Sequence, residues 1–343
     1  MTKTAIVLFN LGGPDRPDSV EPFLFNLFND PAIISLPNPF RFLVAKLISR
    51  KRAPIAREIY ENLGGGSPLL PNTEAQAEAL SAALPDLGEV KCFIAMRYWH
   101  PMTDETVQAV KAFAPDRVVL LPLYPQFSTT TTGSSLRLWN KRAEAAGLRV
   151  PTHVIGCYPR ASGYVNAVAG LVRKALDGME GRKRVLFSAH GLPKKVIDKG
   201  DPYQWQVERS AEEVVKTLNI PDLDWIVCYQ SRVGPLEWIG PSTDAEILRA
   251  GKDGVGIIVC PIAFVSEHSE TLVEIELEYR ELAEESGVSA FARVPTPGAD
   301  PLFIEALADL VRLALQRPVG VCAGEGSRIC PVEFGKCPCR DAA

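Results

Sequence analysis

Short apolar runs rich in β-branched residues alternate along this chain with longer stretches of helical periodicity, and that alternation restricts it to very few folds. Four runs fall in the first half: TAIVLF (4–9), VKCFIAM (90–96), RVVLLPLY (117–124) and THVIGC (152–157). Four more fall in the second: KRVLFS (183–188), DWIVCY (224–229), GVGIIVCPIAF (254–264) and VSAFAR (288–293). Runs this apolar suit strands covered by helices on both faces, the pattern of βαβ units in a parallel sheet. Four plus four predicts an α/β fold of two similar Rossmann-like lobes, each a four-stranded parallel sheet flanked by helices. The lobes are expected at 1–158 and 159–318, with a Cys-rich tail at 319–343. Ligands of such sheets bind beyond the carboxyl ends of the strands, so the cleft between the lobes is the expected site.

With 343 residues, 46% of them hydrophobic, the chain can bury cores for two lobes. A net charge of -4, with no basic block beyond Arg50, Lys51 and Arg52, argues against nucleic-acid binding. The apolar stretch before Asn10 is five residues long, too short for the core of a signal peptide. No apolar run approaches the ~18 residues of a membrane span, so a cytoplasmic location is expected, with peripheral membrane contact left open. Eight cysteines without an export signal do not make a secreted disulfide scaffold. Cys92, Cys228 and Cys260 lie inside strand-like runs, where cysteine behaves as a small core hydrophobe. Cys322, Cys330, Cys337 and Cys339 instead crowd the last 22 residues, and Cys157 stands at the end of a predicted strand.

The segment PIAFVSEHSETLVEIELEYRE (261–281) sets a strand-like run directly against Glu267, His268 and Glu270. It then continues with helical spacing. In an α-helix a four-residue step turns about 40° past a full circle, so Glu270, Glu274 and Glu278 form a slowly drifting stripe. Stacked carboxylates repel one another unless a cation is present. A solvated helix face has the same spacing, and for Glu274 and Glu278 that reading is equally good. A second motif, FSAHGLP (187–193), puts His190 at the end of another strand.

The stretch 22–48 departs from the alternation, with five phenylalanines and four prolines. It is either an amphipathic helix pair packed on the first lobe or an exposed apolar lip that meets a flat hydrophobic ligand or a bilayer surface. NLGGPD (10–15) and GGGSP (64–68) match neither a dinucleotide fingerprint nor a Walker loop.

Taken together, NLGGPD (10–15), YENLGGGSPL (60–69), MRYWHP (96–101), LPLYPQFSTTTTGSS (121–135), FSAHGLP (187–193), CYQSRVGPLEWIGPST (228–243) and PIAFVSEHSET (261–271) resemble the ferrochelatases, which insert ferrous iron into a porphyrin to make haem. The resemblance implies the chelatase-type pair of lobes around a porphyrin cleft. It implies His190 and Glu270 as the catalytic pair, facing each other across the macrocycle. It also implies Fe²⁺ as substrate, with Glu267, His268, Glu274 and Glu278 as further candidate iron ligands. Leu11, Arg52, Tyr60, Ser67, Arg97, Tyr98 and Trp238 sit in motifs expected near the porphyrin. The residue types suit the chemistry. A neutral imidazole can accept a pyrrole proton or bind the metal, and oxygen and imidazole donors hold ferrous iron without the grip of a thiolate.

Some members of the family carry a [2Fe–2S] cluster on three C-terminal cysteines and one from the body of the chain. Carried over, the resemblance implies Cys330, Cys337, Cys339 and Cys157 as ligands, with Cys322 competing for the fourth place. The expected partners are a porphyrin, ferrous iron, a membrane surface touched by the lip and a second copy in a homodimer. The Phe-rich lip favours protoporphyrin over the four-propionate coproporphyrin. A third reading is a non-catalytic iron–sulfur or haem-sensing regulator, against which the presence of both His190 and Glu270 argues.

Overall fold

The computed structural model describes residues 2–232 and 236–340, so residues 233–235 of the motif at 228–243 lie outside it. Two parallel sheets carry the architecture. The first contains β1 (Lys3–Asn10), β2 (Glu89–Met96), β3 (Arg117–Pro122), β4 (Thr152–Cys157) and β9 (Gly320–Ala323), in the order β2-β1-β3-β4-β9. The second contains β5 (Lys183–His190), β6 (Trp225–Gln230), β7 (Gly256–Pro261) and β8 (Phe291–Arg293), in the order β6-β5-β7-β8. Each sheet starts with an inner strand, β1 or β5, flanked by later strands on both sides. The strand order therefore reverses beside β1 and beside β5, which opens a crevice at their carboxyl ends. Ala5 to Phe9 of β1 are all buried, as a strand covered on both faces requires.

The helices are α1 (Val20–Phe28), α2 (Phe40–Glu61), α3 (Leu69–Ala82), α4 (Thr103–Phe113), α5 (Thr132–Ala146), α6 (Ser162–Asp177), α7 (Lys194–Ile197), α8 (Tyr203–Leu218), α9 (Thr243–Asp253), α10 (Tyr279–Glu285) and α11 (Pro301–Gln316). A π-helix, Glu270–Glu278, leads into α10. Its wider turn replaces the α-helix expected there, so a four-residue step falls slightly short of a full turn instead of overshooting it; the three glutamates still form a stripe.

The four strands expected in each half are all present, but the first sheet has a fifth. β9 comes from the start of the tail and pairs with β4, with Gly320 opposite His153 and Cys322 opposite Ile155. α11 precedes it and lies against α3, β3 and β4 as well as α6, burying Phe303, Leu307, Leu310, Val311 and Ala314. The polypeptide thus returns to the first layer before it ends. A four-residue edge strand with one exposed half is too short to leave a period in the sequence.

The Phe-rich stretch is a helix pair. Phe23 and Leu24 of α1 are buried with Val20, Ala53, Tyr60 and Tyr98, so this part is core rather than lip. Exposure concentrates on the start of α2, where Phe40, Leu43 and Leu47 are 62%, 60% and 70% exposed. Phe23→Ala should therefore cost about 3–5 kcal/mol of stability in urea unfolding. Leu43→Ala should stay within about 0.5 kcal/mol of the parent. Equal losses at both positions would contradict this division.

Candidate active site

The carboxyl ends of β1, β3, β5 and β7 converge on one cavity with an empty volume of about 1010 Å³, open water at its mouth included. Its walls are mainly apolar, with Leu11, Leu27, Leu123, Leu192 and Phe264 among them; His190 and Glu270 face into it.

His190 is the last residue of β5, and its Nδ1 lies 2.6 Å from the carbonyl oxygen of Gly191. A carbonyl only accepts, so Nδ1 carries the proton, and in the neutral ring the lone pair is on Nε2. The backbone is held as well, because the hydroxyl of Tyr203 donates to the carbonyl of His190 at 3.1 Å.

Glu270 opens the π-helix. Burial alone would push its carboxyl up, but the nearby imidazoles of His190 and His268 overcome this and hold it at about 2. His268 Nε2 lies 3.8 Å from Glu270 Oε2, a contact too long for a hydrogen bond. Glu270 Oε2 and His268 Nδ1 are buried polar atoms without hydrogen-bond partners, an arrangement that costs stability and marks groups aimed at something other than the fold. The phenol of Tyr60, at the end of α2, is raised to about 12 by burial despite a hydrogen bond with Ser269; it is neutral beside Glu270.

The rest of the ladder is graded. Glu274 accepts from the backbone N–H of Ser231 at 2.9 Å, Ser231 Oγ at 2.5 Å, Gln230 Nε2 at 3.0 Å and Tyr279 OH at 3.2 Å. Burial, then the charge of Glu270, pushes its carboxyl up. Glu278 is exposed and is raised by partial burial and by the charges of Asp244 and Glu281. Glu267 faces a different task. Its carboxylate accepts from Arg293 Nη1 at 2.8 Å and from the N–H of Thr296 at 3.0 Å, so Glu267 ties the loop after β7 to the segment after β8 and is not in the cavity wall.

Of the residues expected near the porphyrin, Leu11 and Tyr98 line the cavity. Tyr60 is buried beside Ser269 and is not in the cavity wall. Arg97 Nη2 binds Asp30 Oδ2 at 2.7 Å and its Nε donates to Ser134 at 2.8 Å; the Tyr98 hydroxyl donates to the same Asp30 oxygen at 2.8 Å. These two polar ends thus anchor the loop after α1. Arg52 is exposed and lies over the Phe28 ring at 5.9 Å. Ser67 packs at Gly13 and donates its N–H to Pro14 at 2.7 Å, joining two Gly-rich loops. Trp238 backs the turn after His190, where a methyl on Gly191 would come within 3.3 Å of its ring. Asp30 and Tyr203 carry no sequence signal, since a lone Asp after a helix or Tyr at a helix start has no spacing to mark it; Tyr124 and Gln126 lie within the motif at 121–135, where nothing singles them out.

A second cluster lies at the end of β4. Cys157, Cys330, Cys337 and Cys339 are all buried around Phe127. Their thiols touch in sequence, Cys330 to Cys337 to Cys339 to Cys157. The two thiols beside Cys337, with help from Arg328, pull it well down, while contact with Cys337 and Cys157 respectively pushes Cys330 and Cys339 up. Gly156 leaves room for the tail here, since a Cβ would sit 2.9 Å from Cys339 Sγ and push it aside. Cys322 is elsewhere, its sulfur 3.6 Å from the Val154 carbonyl within the main apolar core. Among the described residues no three His, Cys, Asp or Glu side chains form the ligand set of a single metal ion.

The ferrochelatase family model matches residues 3–315. Curated ferrochelatases are similar along nearly the whole chain: that of Caulobacter vibrioides (strain NA1000 / CB15N) is 56% identical, with 99% of each chain covered. That of Pelagibacter ubique is 48% identical over 98% of each. A Wolbachia ferrochelatase is 54% identical over 90% of this chain and 98% of its own. Among solved structures, SirB from Bacillus subtilis with Fe3+ superposes with a TM-score of 0.52 at 14% identity, covering 92% of this chain and 96% of that one; the likeness is one of fold.

The carboxyl of Glu270, at about 2 against an ordinary 4.5, makes a signed prediction. A folded value below the unfolded one contributes stability that is present above the unfolded pKa and lost as pH falls through the folded one. The stability difference between the parent and Glu270→Gln, measured in urea, should therefore narrow as pH is lowered from about 5 toward 3. A constant difference would mean that the carboxyl is not held ionised.

Proposed function

The chain belongs to the ferrochelatase family, and we propose that its cleft inserts Fe²⁺ into protoporphyrin IX to form protohaem. The observation that carries the proposal is one apolar cavity holding an imidazole tethered through Nδ1 and a carboxylate kept ionised. Insertion exchanges two pyrrole N–H protons for one divalent cation, so the centre needs a proton acceptor and a negative charge that is not itself protonated. His190 Nε2 is the acceptor, with Nδ1 already committed to Gly191. Glu270 stabilises the resulting imidazolium and, with His268, offers ferrous iron oxygen and imidazole donors. Glu274, raised by burial, is the next carboxyl able to hold a proton, and Glu278 leads to solvent.

The apolar wall and the engagement of Arg97 by Asp30 favour protoporphyrin over the more anionic coproporphyrin. The exposed start of α2 carries Phe40, Leu43 and Leu47 together with Arg41, Lys46 and Arg50, a composition suited to peripheral contact with an anionic bilayer. No helix among the described residues is long and apolar enough to cross a membrane. A cytoplasmic enzyme touching the membrane by this lip fits both features.

For the tail we propose a [2Fe–2S] cluster on Cys157, Cys330, Cys337 and Cys339. A two-iron cluster spreads four thiolates over two metal centres, which suits a row of four touching sulfurs better than a single ion does. The residues fit such a group: all four thiols are buried, an amide of Gln206 donates to Cys330 Sγ at 3.1 Å, and Arg328 offsets negative charge. When bound, the cluster would crosslink the tail to the body of the chain.

His190→Ala should lower insertion by about 10²–10⁴ in rate while leaving porphyrin binding intact, and Glu270→Gln should cost far more than Glu278→Gln. The assay is anaerobic incubation with ferrous iron and either porphyrin, following the absorbance change on metallation; near-parent turnover of His190→Ala would sink the assignment. Leu43→Asp with Leu47→Asp should reduce sedimentation with anionic vesicles and leave the melting temperature unchanged. Anaerobically prepared protein should be reddish brown with about two irons per chain. Serine at Cys157, Cys330, Cys337 or Cys339 should remove the colour, and serine at Cys322 should not.

A further inference from the structure

The four-thiol site and the porphyrin cavity share a wall. Phe127 packs against Cys157, Cys330, Cys337 and Cys339, while its neighbours Gln126 and Ser128 face the cavity. One buried side chain bridges the two. Gln206, on the first turns of α8, accepts from the N–H of Phe127 at 2.8 Å and donates to Cys330 Sγ at 3.1 Å. The amide orientation follows from chemistry, because an N–H can only donate: the atom facing Phe127 must be the oxygen, which leaves the NH₂ for the sulfur. Neither bond is to water, since Gln206 has no exposed surface.

The surrounding contacts run the same way. The N–H of Lys336 in the tail donates to Gly200 at 3.0 Å. Next to it, Asp201 accepts from Thr129 N at 2.7 Å and Ser128 Oγ at 3.0 Å, and so holds the loop that lines the cavity. Tyr203, at the start of the same helix, lines the cavity and donates to the carbonyl of His190.

We propose that Gln206 is a positioning residue that couples the thiol site to the cavity wall, tuning the cluster through its N–H and fixing the 126–131 loop through its carbonyl. The donor half rests on the cluster reading given above. An N–H bond to a ligating sulfur favours the more negative, reduced state, so losing it lowers the reduction potential. Losing the acceptor leaves the Phe127 N–H buried and unpaired, which loosens the wall on which the macrocycle rests.

Two substitutions separate the halves. Gln206→Met removes both bonds without adding charge, whereas Gln206→Glu keeps an oxygen for Phe127 and loses the donor. The full-length protein, loaded anaerobically, is titrated with dithionite against redox dyes while its visible absorption is followed; protoporphyrin binding is read separately by fluorescence. Both variants should have a lower potential than the parent. Gln206→Met should also bind protoporphyrin about tenfold more weakly, and Gln206→Glu within about twofold of the parent. Parent potential and parent affinity in Gln206→Met would overturn the inference, as would an affinity loss of equal size in both variants. Parent protein that takes up no iron and sulfide would overturn the cluster reading and with it the donor half. The same binding measurement on that protein would still decide the acceptor half, supported by a weakening in Gln206→Met alone and overturned by parent affinity there.

Discussion

Everything in this molecule turns on holding an ionised carboxylate in an apolar cavity. Removed from water, a carboxyl normally takes up a proton, and burial pushes Glu270 that way. Two imidazoles reverse the outcome, and each is fixed by a different element: His190 by the end of β5, His268 by the loop after β7. The site is therefore a balance of charges that no single element could maintain. Its unpartnered atoms, Glu270 Oε2 and His268 Nδ1, are buried on residues that line the cavity.

The fold supplies that balance by placing strand ends. β5 and β7 are hydrogen-bonded neighbours, so His190 and the residues following Pro261 emerge side by side. β1 and β3 of the other sheet deliver Leu11 and Tyr124 opposite them. Helix α3 then clamps the two layers, because Gln76 Nε2 donates to the carbonyls of Val265 and Gly298 at 2.9 and 3.0 Å. Rigidity in the wall sharpens the chemistry, since geometry preset by packing needs no reorganisation when the substrate binds.

Around this rigid centre the polar residues divide the labour. Asp30 gathers Arg97, Tyr98 and Ser134 into one buried network that holds the loop leading to α2. Glu267 and Arg293 do the same on the far side, and Asp201 does so for the hydroxyl-rich loop. Each of these carboxylates is spent on backbone or a guanidinium, and among the described residues Glu270 is the carboxylate that lines the cavity.

Much of this was legible in the primary structure. The apolar runs announced the strands because burial on both faces demands continuous β-branched residues, and the positions of His190 and Glu270 just past such runs marked the cleft. The motifs of 10–271 carried the family. What the sequence could not reveal were relations between distant side chains. Arg97 and Glu267 read as ligand-facing charges in the sequence, which gives no sign of the Asp30 and Arg293 that hold them in the fold. Phe23 and Phe40 are chemically alike, and only packing buries the first and exposes the second. The tail's four-residue strand, the meeting of Cys157 with Cys339 and the bridge made by Gln206 depend on the chain doubling back through α11. Local composition determines strands, helices and candidate chemistry because those arise from neighbours in sequence. Which charge is neutralised, and which thiols meet, is decided by contacts between separate segments, 26 residues apart for Glu267 with Arg293, 67 for Arg97 with Asp30 and 124 for Gln206 with Cys330, and these exist only once the chain has folded.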